Sequence, residues 1–300
     1  MRLADRHGIE RIGLGRDQLD ITDTASVDRL IDVRGPVSVV INLAAYTDVD
    51  AAEGAPAEAF RVNAAGVASL AAVCAGRGLP MIHVSTDYVF GGTDAAVLRE
   101  TDRPEPVNRY GESKLAGEEA LRRLLPAHLI VRTSWIFAEA GRNFVTTMLR
   151  LAGKQDEVRV VADETGCPTG AAQLAGALLR LAERVRAGGF GDWGTYHFCG
   201  RPAVSRAEFA RAIFEEARHR GLPLARVREI ASEDYPTAAA RPRRTVLECS
   251  RIRQVFGIAQ PEWRPCLRDV LEELAEGGRG SEVAGEEGEE EGGPTPAGGA

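Results

Sequence analysis

Tyr110 and Lys114 stand four residues apart in "NRYGESKLAGEEAL" (108–121), at what reads as the start of a helix. Residues four apart share a helix face, so both side chains can point into one site. The chemistry that uses such a pair is proton transfer to or from an alcohol or sugar oxygen. A free phenol titrates near about 10, and an adjacent ammonium favours its anion and lowers that value. Tyr-x-x-x-Lys alone is a frequent accident of spacing, and a solvated helix start explains it as well. Upstream, "HVSTDYVFGG" (83–92) puts Ser85 and Thr86 at the C-terminal end of an apolar strand. Open α/β sheets hold their ligands there. A hydroxyl at that place can bond a substrate carbonyl and help set the acidity of Tyr110. Turn capping is the plainer use of the same residues.

Such groups need a framework to hold them. "IERIGL" (9–14), "VSVVINLA" (37–44), "MIHVST" (81–86) and "HLIVRTS" (128–134) read as strands. The second follows Pro36 and is apolar throughout, as a strand buried on both faces should be. Between them lie helical patterns at 24–33, with Thr24 as an N-cap candidate, at 55–77, and from Tyr110 to about Leu125. This alternation predicts an α/β fold with a parallel sheet and helices on both faces. The second half is mixed. It has helices near 143–152, 170–187, 205–219 and 265–276, short strands near 158–161 and 195–199, and a proline-bearing loop at 232–244. Long loops of that kind in a compact chain often bind ligands.

Composition narrows the function classes. The chain has 300 residues, 44% hydrophobic and 27% charged, which suits one large or two modest cores. Of the formal charge of −7, most is local, because residues 277–300 hold six Glu and one Arg. The nearly neutral body argues against nucleic acid or an anionic membrane as the partner. The Gly/Glu/Pro segment 277–300 is expected to be a disordered acidic tail. Five scattered cysteines without a CxxC read as buried free thiols in a reducing cytoplasm. No uninterrupted apolar run approaches the length of a membrane span, and the first residues are too polar for a signal peptide.

The ordered set "STDYVFGG", "YGESKLAGE" and "RTSWIF" resembles the extended short-chain dehydrogenase/reductases. Within them the chain is most similar to the dTDP-4-dehydrorhamnose reductases, through "LDITD" (19–23), "VINLAAYTDVDAAE" (40–53), "FRVNAAGVASLA" (60–71), "NFVTTMLRLA" (143–152), "DETGCPTG" (163–170) and "YPTAAARP" (235–242). The resemblance spans about residues 9–275. It implies a Rossmann-like doubly wound parallel sheet with a smaller mixed α/β substrate domain. The dinucleotide-binding part would comprise 1–134 plus about 169–203, and the substrate domain about 135–168 plus 204–276. It further implies reduction of the 4-keto group of dTDP-4-dehydro-L-rhamnose by NADPH or NADH in the cytoplasm, with a homodimer as a possible assembly. Mg2+ is possible, although no His/Asp cluster in the sequence indicates it.

Residue by residue, the resemblance makes Tyr110 the general acid. Lys114 becomes the holder of the nicotinamide ribose and the group that lowers the tyrosine's pKa, and Thr86 the hydroxyl beside the reacting oxygen. Cofactor contacts map onto Asp20, Ile21, Ala44, Ala45 and Thr47, with Asn63 in support and Arg16 a hint of a 2′-phosphate partner. Substrate contacts map onto Thr86, Asp87, Trp135 and Arg241, the last for the diphosphate. The family's Gly-x-x-Gly-x-x-Gly turn has no counterpart in this sequence, since Gly8, Gly13 and Gly15 are wrongly spaced. Its absence implies a missing first strand and a chain that enters late in the family's first helix. Either the protein starts upstream of Met1, which is the favoured reading, or dinucleotide binding has been lost. Two other readings stay open: an epimerase or dehydratase acting on another nucleotide sugar, and a non-catalytic regulatory subunit of the methionine adenosyltransferase type.

Overall fold

The apolar runs of the first half pair side by side. The computed structural model describes residues 10–34, 36–91 and 95–286. In chain order its first elements are α1 (Thr24–Arg34), β1 (Val40–Asn42), α2 (Val49–Gly54), α3 (Pro56–Phe60), a π-helical turn (Arg61–Gly66), α4 (Val67–Gly76), β2 (Met81–Thr86), α5 (Arg109–Leu124) and β3 (His128–Thr133). There follow α6 (Phe144–Ala152), β4 (Glu157–Val161), α7 (Ala171–Arg186), β5 (Gly194–His197), α8 (Arg206–Arg218), β6 (Arg226–Ile230), α9 (Ser250–Phe256) and α10 (Trp263–Glu286). The main sheet runs β1-β2-β3-β5, all parallel. β4 and β6 form a separate parallel pair.

Alternating side chains give the sheet two covered faces. On one face Met81 and Ile130 pack with Val67, Leu70, Leu121 and Val27, beneath α1, α4 and α5. On the other, Ile82, Leu129 and Val131 pack with Leu174, Leu178 and Leu181 of α7. A third cluster gathers Phe137, Val145, Val158, Phe209, Ile213 and Leu267 around β4, α6, α8 and α10. These clusters support, as a proposal, the two-part division expected from the sequence. Residues Leu247, Cys249, Ile252 and Ile258, however, join the sheet's core rather than the smaller one. All five cysteines are buried free thiols.

Two expected strands fail in an instructive way. Within "IERIGL" no strand forms at 10–14, and Ile12 is 45% exposed. β1 is the edge of the sheet and only half-buried, where "VSVVINLA" had promised a strand covered on both faces. The two failures have one cause: a strand needs a hydrogen-bonded neighbour, and among the described residues nothing pairs with the outer side of β1. The N-cap of α1 is Asp23, whose carboxylate accepts from Ser26 N at 3.1 Å, while Thr24 bonds Ser69. α10 runs past Glu276 to Glu286, into the expected tail, because propagating an existing helix needs no new nucleus. β6 was not foreseen. The stretch Pro56–Gly76 is, by length and mean hydropathy (21 residues, 1.4), long and apolar enough to cross a membrane. Its apolar residues instead make up the core under α5.

The placement of α5 decides the rest. Asn108 caps it, accepting from Gly111 N at 2.8 Å. Its glycines then let it lie directly on its neighbours. A Cβ on Gly111 would meet Tyr88 O at 2.1 Å, and one on Gly117 would meet Asn63 O at 2.1 Å. Both obstacles are backbone and cannot swing away. Gly117→Ala is expected to destabilise the fold by about 1–3 kcal/mol, the usual range for overpacking. Urea unfolding of the variant against the parent measures this.

Candidate active site

The C-terminal ends of β2 and β3 bring the foreseen residues together. Thr86 ends β2 and its hydroxyl accepts from Tyr88 N at 3.1 Å, opening a short 3-10 turn over Asp87–Val89. That turn meets the first turn of α5. The rings of Tyr88 and Tyr110 stand edge to face at 5.9 Å, and the Thr86 hydroxyl lies on the Tyr110 side of that turn. Asp87 is 2% exposed and is held from both sides. Its Oδ1 accepts from Thr86 Oγ1 at 3.1 Å and its Oδ2 from Thr245 Oγ1 at 2.5 Å. Burial raises this carboxyl to about 6 against those two hydrogen bonds and the charge of Arg206.

Lys114 shares a helix face with Tyr110 but does not do to it what was expected. Its Nζ donates to Val84 O at 2.8 Å, on the backbone of β2. Burial lowers the ammonium to about 8, with Glu118 opposing. Burial also pushes the Tyr110 phenol above its ordinary value, and the nearby Thr86 hydroxyl is the one influence that lowers it. The expected lowering of Tyr110 by Lys114 is therefore corrected: the ammonium is turned toward the strand. Tyr110 holds its proton at neutral pH. Ser85 is corrected too. It faces the opposite side of β2 from Thr86 and lies against Glu118, away from the reacting groups.

The cofactor-side residues form a rim around this centre. Asn42 Oδ1 accepts from Ala44 N at 3.0 Å, shaping the loop after β1. Asn63, fully buried in the π-turn, bonds Tyr46 N and O at 2.8 and 3.0 Å and reaches Ser113 Oγ at 2.9 Å. Ser113 in turn donates to Tyr110 O at 2.8 Å, so one asparagine ties the loop to the first turns of α5. Ala44 and Thr47 are exposed and Ala45 half-buried, which leaves a small-residue backbone rim open to a flat ligand. Asp20 bonds Thr22 and Arg61, and Ile21 packs under Gly66. These two brace the π-turn and do not contact Tyr110 or Lys114. Arg16 is exposed.

The substrate side holds one surprise. Trp135 sits in the left-handed region at φ 44°. Its indole covers Gly166, where a Cβ would meet Cε2 at 2.4 Å. Over the indole lies the guanidinium of Arg206, 4.0 Å from the ring centroid. Arg206 pairs with Glu164 at 3.0 Å and reaches Tyr88 Oη at 3.5 Å. The sequence offered a signal for Arg206 only in its place just after the start of the Ser205–Glu208 capping box, which fixes the first turn of α8. Arg241 is not free for a diphosphate. It makes a two-pronged pair with Asp50 of α2, at 3.0 and 2.7 Å. Asp50 also accepts from Ala239 N, and Asn108 donates to Ala240 O, at 3.0 and 2.8 Å. Arg241 thus pins the 232–244 loop beside the site. Among the described residues no group of three or more His, Cys, Asp or Glu is placed to hold a metal ion.

The chain matches the family model described as "RmlD substrate binding domain" over residues 1–276. It is 43% identical over 272 residues to a dTDP-4-dehydrorhamnose reductase of Aggregatibacter actinomycetemcomitans, covering 89% of this chain and 92% of that protein. A reductase of the same name from Mycobacterium tuberculosis (strain CDC 1551 / Oshkosh) is 42% identical over 274 residues, covering 89% and 86%. Among solved structures, a Bacillus anthracis (strain Ames) dTDP-4-dehydrorhamnose reductase in complex with NADP superposes with a TM-score of 0.80 at 33% identity, covering 90% and 95%. Agreement in motifs, in fold and along almost the whole length has one meaning: the chain belongs to the RmlD substrate-binding-domain family, that of the dTDP-4-dehydrorhamnose reductases.

Proposed function

We propose that this chain reduces the 4-keto group of dTDP-4-dehydro-β-L-rhamnose to the alcohol of dTDP-L-rhamnose, with NADPH in preference to NADH as the donor. The observation that carries the reading is the protonated Tyr110 set against Thr86 at the end of β2. The NADP complex of the Bacillus anthracis relative supports the cofactor. The residues present fit its nicotinamide–ribose half: the open backbone at Ala44 and Ala45, and the Lys114 ammonium held at Val84 O of β2. Among the described residues no glycine turn for the diphosphate accompanies them. Bound, the dinucleotide supplies the hydride.

The chain's own residues supply everything else. Tyr110 gives its proton to the oxygen that becomes an alkoxide. A phenol that keeps its proton at neutral pH and meets a far stronger base suits general acid catalysis. Thr86, whose one hydroxyl proton goes to Asp87 in the free protein, turns that proton to the same oxygen when the sugar binds. Asp87, braced by Thr245, fixes Thr86 and accepts from a sugar hydroxyl. Trp135 offers the hexose a flat apolar wall with one donor. Arg206 stiffens that wall and presents positive charge toward the nucleotide. Arg241 holds the loop over the site rather than the diphosphate. Lys114, as an ammonium, binds the ribose of the cofactor. The five free thiols support a reducing, cytoplasmic setting.

Three outcomes follow. Tyr110→Phe keeps the ring contact with Tyr88 and loses the proton, so NADPH oxidation with the keto sugar is expected to drop by about 10²–10⁴-fold. Activity of the variant equal to the parent's would refute the assignment. Because Lys114 titrates at about 8, its ammonium is present below that pH and lost above it, so kcat/KM is expected to fall as pH rises through about 8. Arg206→Met, which removes the cation over Trp135, is expected to raise the KM for the dTDP sugar by about tenfold, within the range of such contacts. Its kcat is expected to change less, as steady-state kinetics at varied sugar concentration will register.

A further inference from the structure

Behind the reacting groups lies a buried charged layer that the chemistry above does not use. Ser85, Arg132 and His197 stand in register across β2, β3 and β5, and all three face α5. Glu118, fully buried on α5, meets them. Its Oε1 accepts from Arg132 Nε at 2.9 Å and its Oε2 from Arg132 Nη2 at 2.6 Å. Arg122, one turn on, adds a third hydrogen bond at 2.7 Å. Arg132 is 1% exposed and its guanidinium also lies over Phe90, 4.9 Å from the ring centroid.

Energetics say this pair is not there for stability. Desolvating two charges costs about as much as their attraction returns, and well-packed apolar residues often serve equally well or better. A buried pair is better explained by what it places. Tyr110, Lys114 and Glu118 follow one another at four-residue steps along one face of α5. The carboxylate therefore stands one turn behind the ammonium, and Arg132 fixes it there on the sheet.

We propose that Glu118, clamped by Arg132, is a positioning residue that keeps Lys114 charged and directed at the end of β2. The inference deepens the reductase reading and rests on it for the role of Lys114. The other groups around Lys114 cannot take over this task. On β2, His83 is kept neutral by burial and by the charge of Lys114 itself. On β3, Arg132 carries the wrong sign. On β5, His197 is likewise kept neutral by burial beside Arg132, at about 3. On α5, Tyr110 keeps its proton, and Asp87 lies beyond it on the substrate side. From the π-turn comes Asn63, and beside it on α5 its partner Ser113, both uncharged. Glu118 is the one influence that raises Lys114 against its burial.

The chain makes the test unusually clean, because Lys114 and Lys154 are its only lysines and Lys154 is exposed. Full-length protein labelled with [13C]lysine gives two Cε signals to follow against pH, with Lys154 as the internal reference. No substrate or cofactor is needed, so the result stands apart from whether the protein turns over a keto sugar. In the parent the Lys114 midpoint is expected near about 8. In Glu118→Gln it is expected to fall by about one unit, the low end for removing a neighbouring opposite charge. Loosened packing would do the reverse, since water entering the site raises the midpoint toward the ordinary lysine value. If Glu118→Gln does not fold, Glu118→Met/Arg132→Met replaces the buried pair with apolar side chains, and it too is expected to lower the midpoint. Arg132→Met alone is expected not to lower it. A midpoint that stays put or rises in whichever of the first two variants folds would overturn the proposal. A matching move of the alkaline limb of kcat/KM to lower pH in the same variant is the expected consequence in turnover.

Discussion

Close backbone contact of α5 with the turn after β2 and with the π-turn is the constraint on which the rest of the molecule turns. Gly111 sits against Tyr88 O and Gly117 against Asn63 O, with no room for a side chain at either place. The helix cannot slide or rise without losing both contacts. Held there, Tyr110 meets Thr86, and Lys114 reaches Val84 O through the layer beneath. The cap at Asn108 extends the same fixation outward. Its side-chain oxygen closes the helix while its amide holds Ala240 of the 232–244 loop. A single asparagine thus joins α5 to the 232–244 loop.

Charge is arranged to match. Three carboxylates around the site each hold an arginine: Glu118 with Arg132 under the helix, Glu164 with Arg206 at the indole, and Asp50 with Arg241 at the loop. Each pair joins two different elements, and the least exposed, Glu118–Arg132, stands one helical turn behind Lys114. Paired in this way, the charges act as fixed dipoles around the substrate cleft. They leave Tyr110 and Lys114 as groups whose titration is governed first by burial. Preorganised dipoles of this kind need no rearrangement at the moment of reaction.

Much of this arrangement is legible in the amino-acid sequence, and the exceptions share a cause. The strands at 81–86 and 128–134 and the helix from Tyr110 are legible because their apolar periodicity is strong and their neighbours in the sheet are present. The grouping of Thr86, Asp87 and Tyr110 is legible because strand ends and helix starts meet at one edge of such a sheet. What fails depends on partners distant in the chain. "IERIGL" has strand character but, among the described residues, nothing to pair with. β6 pairs with β4 across some seventy residues, a contact that no local pattern announces. Arg241 looks like an anion ligand until Asp50 is seen on it, 191 positions away. Arg206 escapes notice because a cation over an indole leaves no motif. The charge on Lys114 points to the wrong acceptor, since spacing along a helix says which face a side chain shares and not which atom it will bond.

In the proposed reaction this arrangement reduces a sugar carbonyl by hydride transfer with Tyr110 as the acid. The most direct measurement uses NADPH carrying deuterium at the transferable C4 position, dTDP-4-dehydro-L-rhamnose and the purified protein, with the product read by mass spectrometry and NMR. The expected product is dTDP-L-rhamnose bearing one deuterium at C4 of the hexose, formed in step with NADPH consumed. A rearranged or dehydrated nucleotide sugar without the label, or an unchanged keto sugar, would contradict it.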